Sequence, residues 1–329
     1  MDPLQRLPPP PPWRTFEGGT LPDVEITPPD DGETARRLGR EYRLAEDVVN
    51  PDEVEIVNTA LLLRRPLLVT GRPGSGKSAL AYRIARELGL GRVLRWSITS
   101  HSTLKSGLYS YDAIGRAQAR PAFAGGLDAG QDDLPIGEFV RLGELGTAFL
   151  PRRRPRVLLI DELDKSDSDL PNDLLELFEA GQFAIEELAR AARRTPTTEV
   201  FTADPEVTTE IVKGRVACRA FPVVIITSNG ERDFPPAFLR RCLSYEIPEP
   251  TAEQLAAMVA SHAVDPDNPE RSSAMIADFV ARSRERGGIP ADKLLDAVFL
   301  VASGITRGDE RTLTRIQDAL WRQLNQTVQ

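Results

Sequence analysis

Cysteine, histidine and lysine are all scarce in this chain, and each scarcity excludes something. Two cysteines, Cys218 and Cys242, in 329 residues are too few and too far apart for a disulfide framework. A reducing, cytoplasmic setting is therefore expected. Two histidines, His101 and His262, leave no His-rich metal site. Only five lysines occur, at positions 77, 105, 165, 213 and 293, so a motif that requires lysine is hard to meet by accident. No apolar run approaches the ~18 residues that a membrane-spanning helix needs. No basic segment followed by an apolar stretch marks a signal peptide. Positive charge is also short: the net charge of −8 argues against a surface built to coat nucleic acid.

What is present is ordinary in bulk. Hydrophobic residues make up 41% and charged residues 27%, as in globular domains. The length allows one large domain or two smaller ones with a sizeable core. Residues 1–40 read as a proline-rich leader or linker, with Pro8 to Pro12 in one run, extended and without a packed core of its own. Residues 41–248 alternate strand-like and helix-like segments, which predicts an α/β domain with a parallel sheet covered on both faces. Its first long helix begins at Asn50-Pro51-Asp52-Glu53 and is expected to turn Val54, Val57, Leu61 and Leu62 to the core. Residues 112–150 read as irregular, with an amphipathic piece around Ile136 to Leu145. Residues 182–220 carry several short β-like pieces. After Pro248-Glu249-Pro250, residues 249–329 read as a small all-helical domain on a proline-flanked hinge.

One stretch is far from ordinary. Gly71-Arg72-Pro73-Gly74-Ser75-Gly76-Lys77-Ser78 fits the pattern G-x-x-x-x-G-K-[ST]. An apolar run, Pro66 to Thr70, precedes it, and a helical pattern, Ala79 to Leu88, follows. Strand, glycine loop and helix form the context in which backbone N–H groups and a helix N-terminus cradle phosphates. The nucleotide-binding positions are Gly71, Pro73, Gly74, Ser75, Gly76, Lys77, Ser78 and Ala79. Lys77 is expected to reach the β- and γ-phosphates, and Ser78 to offer its hydroxyl to Mg²⁺.

Four further elements belong with the loop. Val157 to Ile160 is a fully apolar strand that delivers Asp161 and Glu162 to the sheet edge where ligands bind in open α/β folds. Asp161 suits contact with Mg²⁺, and Glu162 suits polarisation of an attacking water. The acids that follow, Asp164, Asp167 and Asp169, read as a charged surface turn. At the end of the next apolar strand, Asn229 offers a neutral amide to the lytic water or the γ-phosphate. The pair Arg240-Arg241 precedes another strand; at a subunit edge, such an arginine neutralises developing phosphoryl charge in a neighbour's site. In the helical domain, Arg286 and Lys293 are candidate sensors of the γ-phosphate. The run Arg152 to Arg154 with Arg156 reads as a solvated basic loop. No Asn-Lys-x-Asp pattern reads guanine, so ATP is expected over GTP.

Taken in order, GRPGSGKS, VLLIDELDK and IITSNGERDFPPAFLRRC resemble the motifs of an AAA+ ATPase over roughly residues 41–329, and within that family they most resemble the MoxR-like branch. The resemblance implies a three-layer P-loop NTPase sheet with a C-terminal α-helical lid. It also implies ATP with Mg²⁺, hydrolysis, and a ring, commonly a hexamer, whose active sites are shared between subunits. The residues 182–218 resemble the branch's pre-sensor insertion. Leu239-Arg240-Arg241-Cys242 resembles the finger motif of clamp loaders, which points to Arg241. Gly287 to Lys293 departs from the branch's second-sensor pattern and leaves Lys293 as a substitute. Familiar members remodel protein clients, often beside a partner with a von Willebrand A domain, and similar chains occur in multi-gene conflict systems. The rival readings are an ATP-gated switch or scaffold and, against the acidic balance, a nucleic-acid motor.

Overall fold

The computed structural model describes residues 8–19, 32–39, 50–119, 134–261, 276–277, 281 and 291–302. In chain order the strands among them are β1 (Leu67–Thr70), β2 (Leu94–Ser97), β3 (Tyr109–Tyr111), β4 (Val140–Leu142), β5 (Val157–Asp161), β6 (Gln182–Ala184), β7 (Thr197–Phe201), β8 (Thr208–Val212), β9 (Arg215–Ala217), β10 (Val223–Ser228) and β11 (Leu243–Glu246).

Five strands form one sheet in the order β11-β1-β10-β5-β2, with every neighbouring pair parallel. Such strands need apolar residues on both sides, because side chains alternate between two covered faces. Strand β5 shows this alternation. Val157 and Leu159 join one buried cluster, with Leu80, Ala81 and Ile84 of the helix Lys77–Leu88. Leu158 and Ile160 join the other, with Leu174, Leu177 and Phe178 of the helix Leu170–Ala180. Helix, sheet and helix make the three layers of a P-loop NTPase. The parallel register leaves the C-terminal ends of β1, β5 and β10 on one edge, where the sequence motifs emerge.

The helix Pro51–Leu63 starts as expected: the Asn50 side chain accepts the Asp52 backbone N–H at 3.0 Å. Its buried face differs from the expectation. Val54 and Leu62 are 44% and 47% exposed, while Glu53 is buried and pairs with Arg83. A charged pair occupies the place that apolar periodicity assigns to valine and leucine.

A second, six-stranded sheet runs β3-β4-β7-β8-β9-β6. Its hairpin β7–β8 and the short strands β6 and β9 fall where the short β-like pieces lie in the sequence. The stretch 134–150 is more regular than expected: it holds a 3₁₀ turn, strand β4 and the helix Glu144–Ala148. A three-residue strand is too short to declare a period.

The proline-rich leader is not free along its whole length. Residues 8–19 form a strap on the α/β body. Arg14 Nη1 donates to the Phe178 carbonyl at 3.1 Å. The Phe16 ring stacks on Phe221 with centroids 5.5 Å apart. The Gly18 N–H donates to the Cys218 carbonyl at 3.2 Å, and a Cβ at Gly18 would lie 2.3 Å from that of Ala217, so only glycine fits. Trp13, just before the first of these anchors, is 78% exposed.

Beyond Pro250 the described helices are Ala252–Ser261 and Ala291–Ala302, with Leu255, Val259, Leu294 and Val298 buried. Arg286 and residues 303–329 of the expected helical domain lie outside the described residues. No helix among those described is long and apolar enough to cross a membrane. Both cysteines are buried thiols, pushed up to about 12 by desolvation, which suits packing and not redox chemistry.

Candidate functional site

The phosphate-loop pattern sits between β1 and the helix Lys77–Leu88. Gly76 caps that helix at φ 90°, in the left-handed region that favours glycine, and no side chain caps the helix N-terminus. The first turn therefore keeps N–H groups for an anion. Lys77 is only 7% exposed, and its Nζ donates to the carbonyls of Gly71 at 2.7 Å and Arg72 at 2.8 Å. Burial pushes its pKa down, while Asp164, Asp161 and Glu162 pull against that shift. Ser75 Oγ is buried without a hydrogen-bond partner among the described residues. An uncapped helix start, a buried ammonium bonded only to carbonyls and an orphaned hydroxyl fit a phosphate group.

Asp161 ends β5 beside this loop. Its Oδ1 accepts hydrogen bonds from Ser78 Oγ at 2.6 Å and Thr227 Oγ1 at 2.8 Å. Its Oδ2 accepts from Arg95 Nε at 2.9 Å and Nη2 at 2.6 Å. Burial alone would raise the pKa of Asp161, but the bonds from Ser78, Thr227 and Arg95 outweigh it and hold the group below the ordinary range. The Ser78 hydroxyl and the Asp161 carboxylate are hard oxygen donors, the type Mg²⁺ takes.

Glu162 follows in a left-handed backbone conformation, φ 62° and ψ 52°. Its N–H donates to Thr227 Oγ1 at 2.8 Å, which ties β5 to β10, and Lys165 Nζ donates to Glu162 Oε2 at 2.6 Å. Asn229 leaves β10 with its backbone N–H on Asp164 Oδ2 at 2.9 Å, and the Glu231 N–H joins the same oxygen at 3.1 Å. The side-chain amide of Asn229 makes no hydrogen bond among the described residues. Asp164 is thus not a surface acid. It is 3% exposed and fixes the loop that carries Asn229.

Arg241 lies elsewhere. It precedes β11, which starts level with Leu67 at the beginning of β1, so it sits at the opposite sheet edge from Thr70 and Asp161. At about 3.3 Å per residue, the length of a strand separates it from its own phosphate loop. Its Nε pairs with Glu179, and Arg65 Nη1 donates to the neighbouring Arg240 carbonyl at 3.2 Å. Lys293 pairs with Asp296 on its own helix at 3.6 Å.

Lys77, Ser78, Asp161, Glu162 and Asn229 converge, then, and Arg241 stands apart. Sequence reasoning missed Arg95, Lys165 and Asp164 as members of the site. One signal was visible: Arg95 is a lone charge between Leu94 and Trp96, at the strand position that shares a face with Asp161. The basic run was also misread at Arg156, which is 3% exposed and bonds both oxygens of Asp204, at 2.6 and 2.9 Å.

A strand–loop–helix phosphate cradle at the carboxyl edge of a five-stranded parallel sheet, faced by a strand-end carboxylate, defines a P-loop nucleotide-binding protein. A model of the AAA domain (dynein-related subfamily) matches residues 66–242, more than half of the chain. The chain belongs to this family of AAA+ domains, which bind and hydrolyse ATP. No curated protein sequence matches it significantly.

Proposed function

We propose that the chain is a Mg²⁺-dependent ATPase of the MoxR-like branch that works as a ring, a hexamer, and remodels protein clients. One observation carries the shared-site reading: Arg241 is remote from the phosphate loop of its own subunit, so it meets phosphates only across a subunit boundary. The family match and the second sheet, placed where the branch's insertions fall, support the rest.

In this reading Gly71 to Ala79 wrap the phosphates, and Lys77 turns from its carbonyl partners to the β- and γ-oxygens. Ser78 and Asp161 would hold Mg²⁺, which would supply charge neutralisation at the phosphates. Glu162 releases Lys165 and takes a proton from water at Oε2. Asn229 orients that water with its amide, on a loop fixed by Asp164. Arg241 of one subunit stabilises charge in the next. Lys293 serves as second sensor, and loops in 99–115 and 182–218 meet the client. Residues 1–40, 41–248 and 249–329 act as leader, nucleotide-binding domain and lid.

Glu162→Gln is expected to bind ATP as the wild type does and to hydrolyse it about 10²–10⁴-fold more slowly. A normal rate in this variant removes Glu162 from the chemistry. Arg241→Ala is expected to lose turnover alone and to regain part of it when mixed with Lys77→Ala subunits, because each supplies what the other lacks. No recovery on mixing rejects the shared site.

A second reading, an ATP-gated switch or scaffold in a multi-protein system, rests on the Glu162–Lys165 pair, which engages one oxygen of the proposed base. Assembled rings that bind ATP with no turnover would favour it. A nucleic-acid motor loses support because Arg156, part of the basic run, is buried against Asp204.

A further inference from the structure

Asp161 already has a counter-ion. A carboxylate offers about four acceptor positions, and here two hydroxyls fill those of Oδ1 while two guanidinium N–H groups fill those of Oδ2. The hydroxyls come from Ser78 and Thr227 and carry no charge. The guanidinium is different: Arg95 carries a full charge on rigid β2, whose Ser97 lies level with Asp161 in the sheet. The side chain of Arg95 is 35% exposed and that of Asp161 5%, so the pair sits at the mouth of the site.

The charges nearby balance. Arg95 faces Asp161, Lys165 faces Glu162, and Lys77 lies within the field of Asp164. Arg37 also faces Asp161 and is itself paired with Glu33. A bare divalent cation meets no net negative charge here: to reach Oδ2 it has to displace Arg95, and to reach Oδ1 it has to displace a hydroxyl beside that arginine's charge.

We propose that Arg95 keeps free divalent cations off Asp161: it occupies Oδ2 and supplies the counter-charge, so this carboxylate binds no metal in the absence of nucleotide. Arg95 is a positioning residue: it acts through Asp161. The proposal rests on the reading of Asp161 as the metal-site carboxylate.

The test uses Mn²⁺ and the full chain, with binding followed by electron paramagnetic resonance and by calorimetry, without nucleotide. Wild type is expected to show no site for Mn²⁺ in the low millimolar range. Arg95→Gln is expected to gain one, at least about tenfold tighter, because an unopposed buried carboxylate attracts the cation strongly. Adding Asp161→Asn to Arg95→Gln should remove it. Arg95→Lys keeps the charge and is expected to behave as wild type. An Arg95→Gln protein with wild-type Mn²⁺ affinity overturns the proposal. So does nucleotide-free Mn²⁺ binding by wild type that Asp161→Asn abolishes, a result that does not depend on whether the Arg95 variants fold. The reading of the site fails separately: Asp161→Asn would then leave Mn²⁺ binding in the presence of ATP unchanged.

Discussion

Strand β5 has an aspartate–arginine pair at each end, and the two are built for different ends. At its start Arg156 grips Asp204 with two short bonds, and the two side chains are 3% and 0% exposed. Arg92 closes the pair further, with Nη1 3.4 Å from Asp204 Oδ1. At its finish Arg95 grips Asp161 with equally short bonds, yet Arg95 is partly open and two hydroxyls share the carboxylate. The first pair has nowhere to go and ties the second sheet, through the segment after β7, to the nucleotide-binding sheet. The second has partners that can leave. The same ion-pair chemistry makes a rivet where it is sealed and an exchangeable site where it is open.

The largest expected effect lies at the sealed end. Asp204→Ala leaves Arg156 buried without its counter-ion and should lower stability by about 3–5 kcal/mol in a denaturant melt. Asp161→Ala should cost less than half of that, because Arg95 regains water, while ATP turnover is lost. Equal costs would erase the distinction. Next comes the double variant Arg156→Met with Asp204→Leu, expected to recover most of the stability lost by Asp204→Ala, since an apolar pair replaces a buried ionic one at little net cost. A double variant no better than the single would show that the charges themselves are required. A smaller effect is expected with pH. Both aspartates are held below the ordinary value of 3.8. The stability they add is therefore complete above that value and is lost as pH falls below it, towards their own pKa values. Asp204→Asn should flatten the acid limb of the stability curve more than Asp161→Asn does. Smallest of all is the exposed pair Arg241–Glu179: Glu179→Ala should move stability by no more than about 1 kcal/mol. A larger change would mean that this surface is covered.

Sequence and structure agree where local pattern carries the information. The apolar runs at 67–70, 157–160 and 223–227 announce central parallel strands, and the glycine pattern announces the cradle. Agreement ends where identity depends on a distant neighbour. Asp164 looks like one of several surface acids, because its partners are backbone N–H groups more than sixty positions away, at Asn229 and Glu231. Arg156 looks like part of a solvated run, because Asp204 arrives from the hairpin side of the second sheet. Arg95 is tied to Asp161 by the adjacency of β2 and β5, which no window of local sequence contains. Val54 and Leu62 obey helical periodicity and still face outwards, because Glu53 and Arg83 pair on the inward side.

The strap has a consequence for how the chain reaches its fold. Arg14 binds a carbonyl 164 residues further along, and Phe16 and Gly18 wait for Phe221 and Cys218. During synthesis this segment leaves the ribosome well before its seat exists. Closing so long a loop is slow relative to local helix and hairpin formation. Docking is thus a late event, and protection of the Gly18 amide from hydrogen exchange becomes a clock for assembly of the whole α/β body.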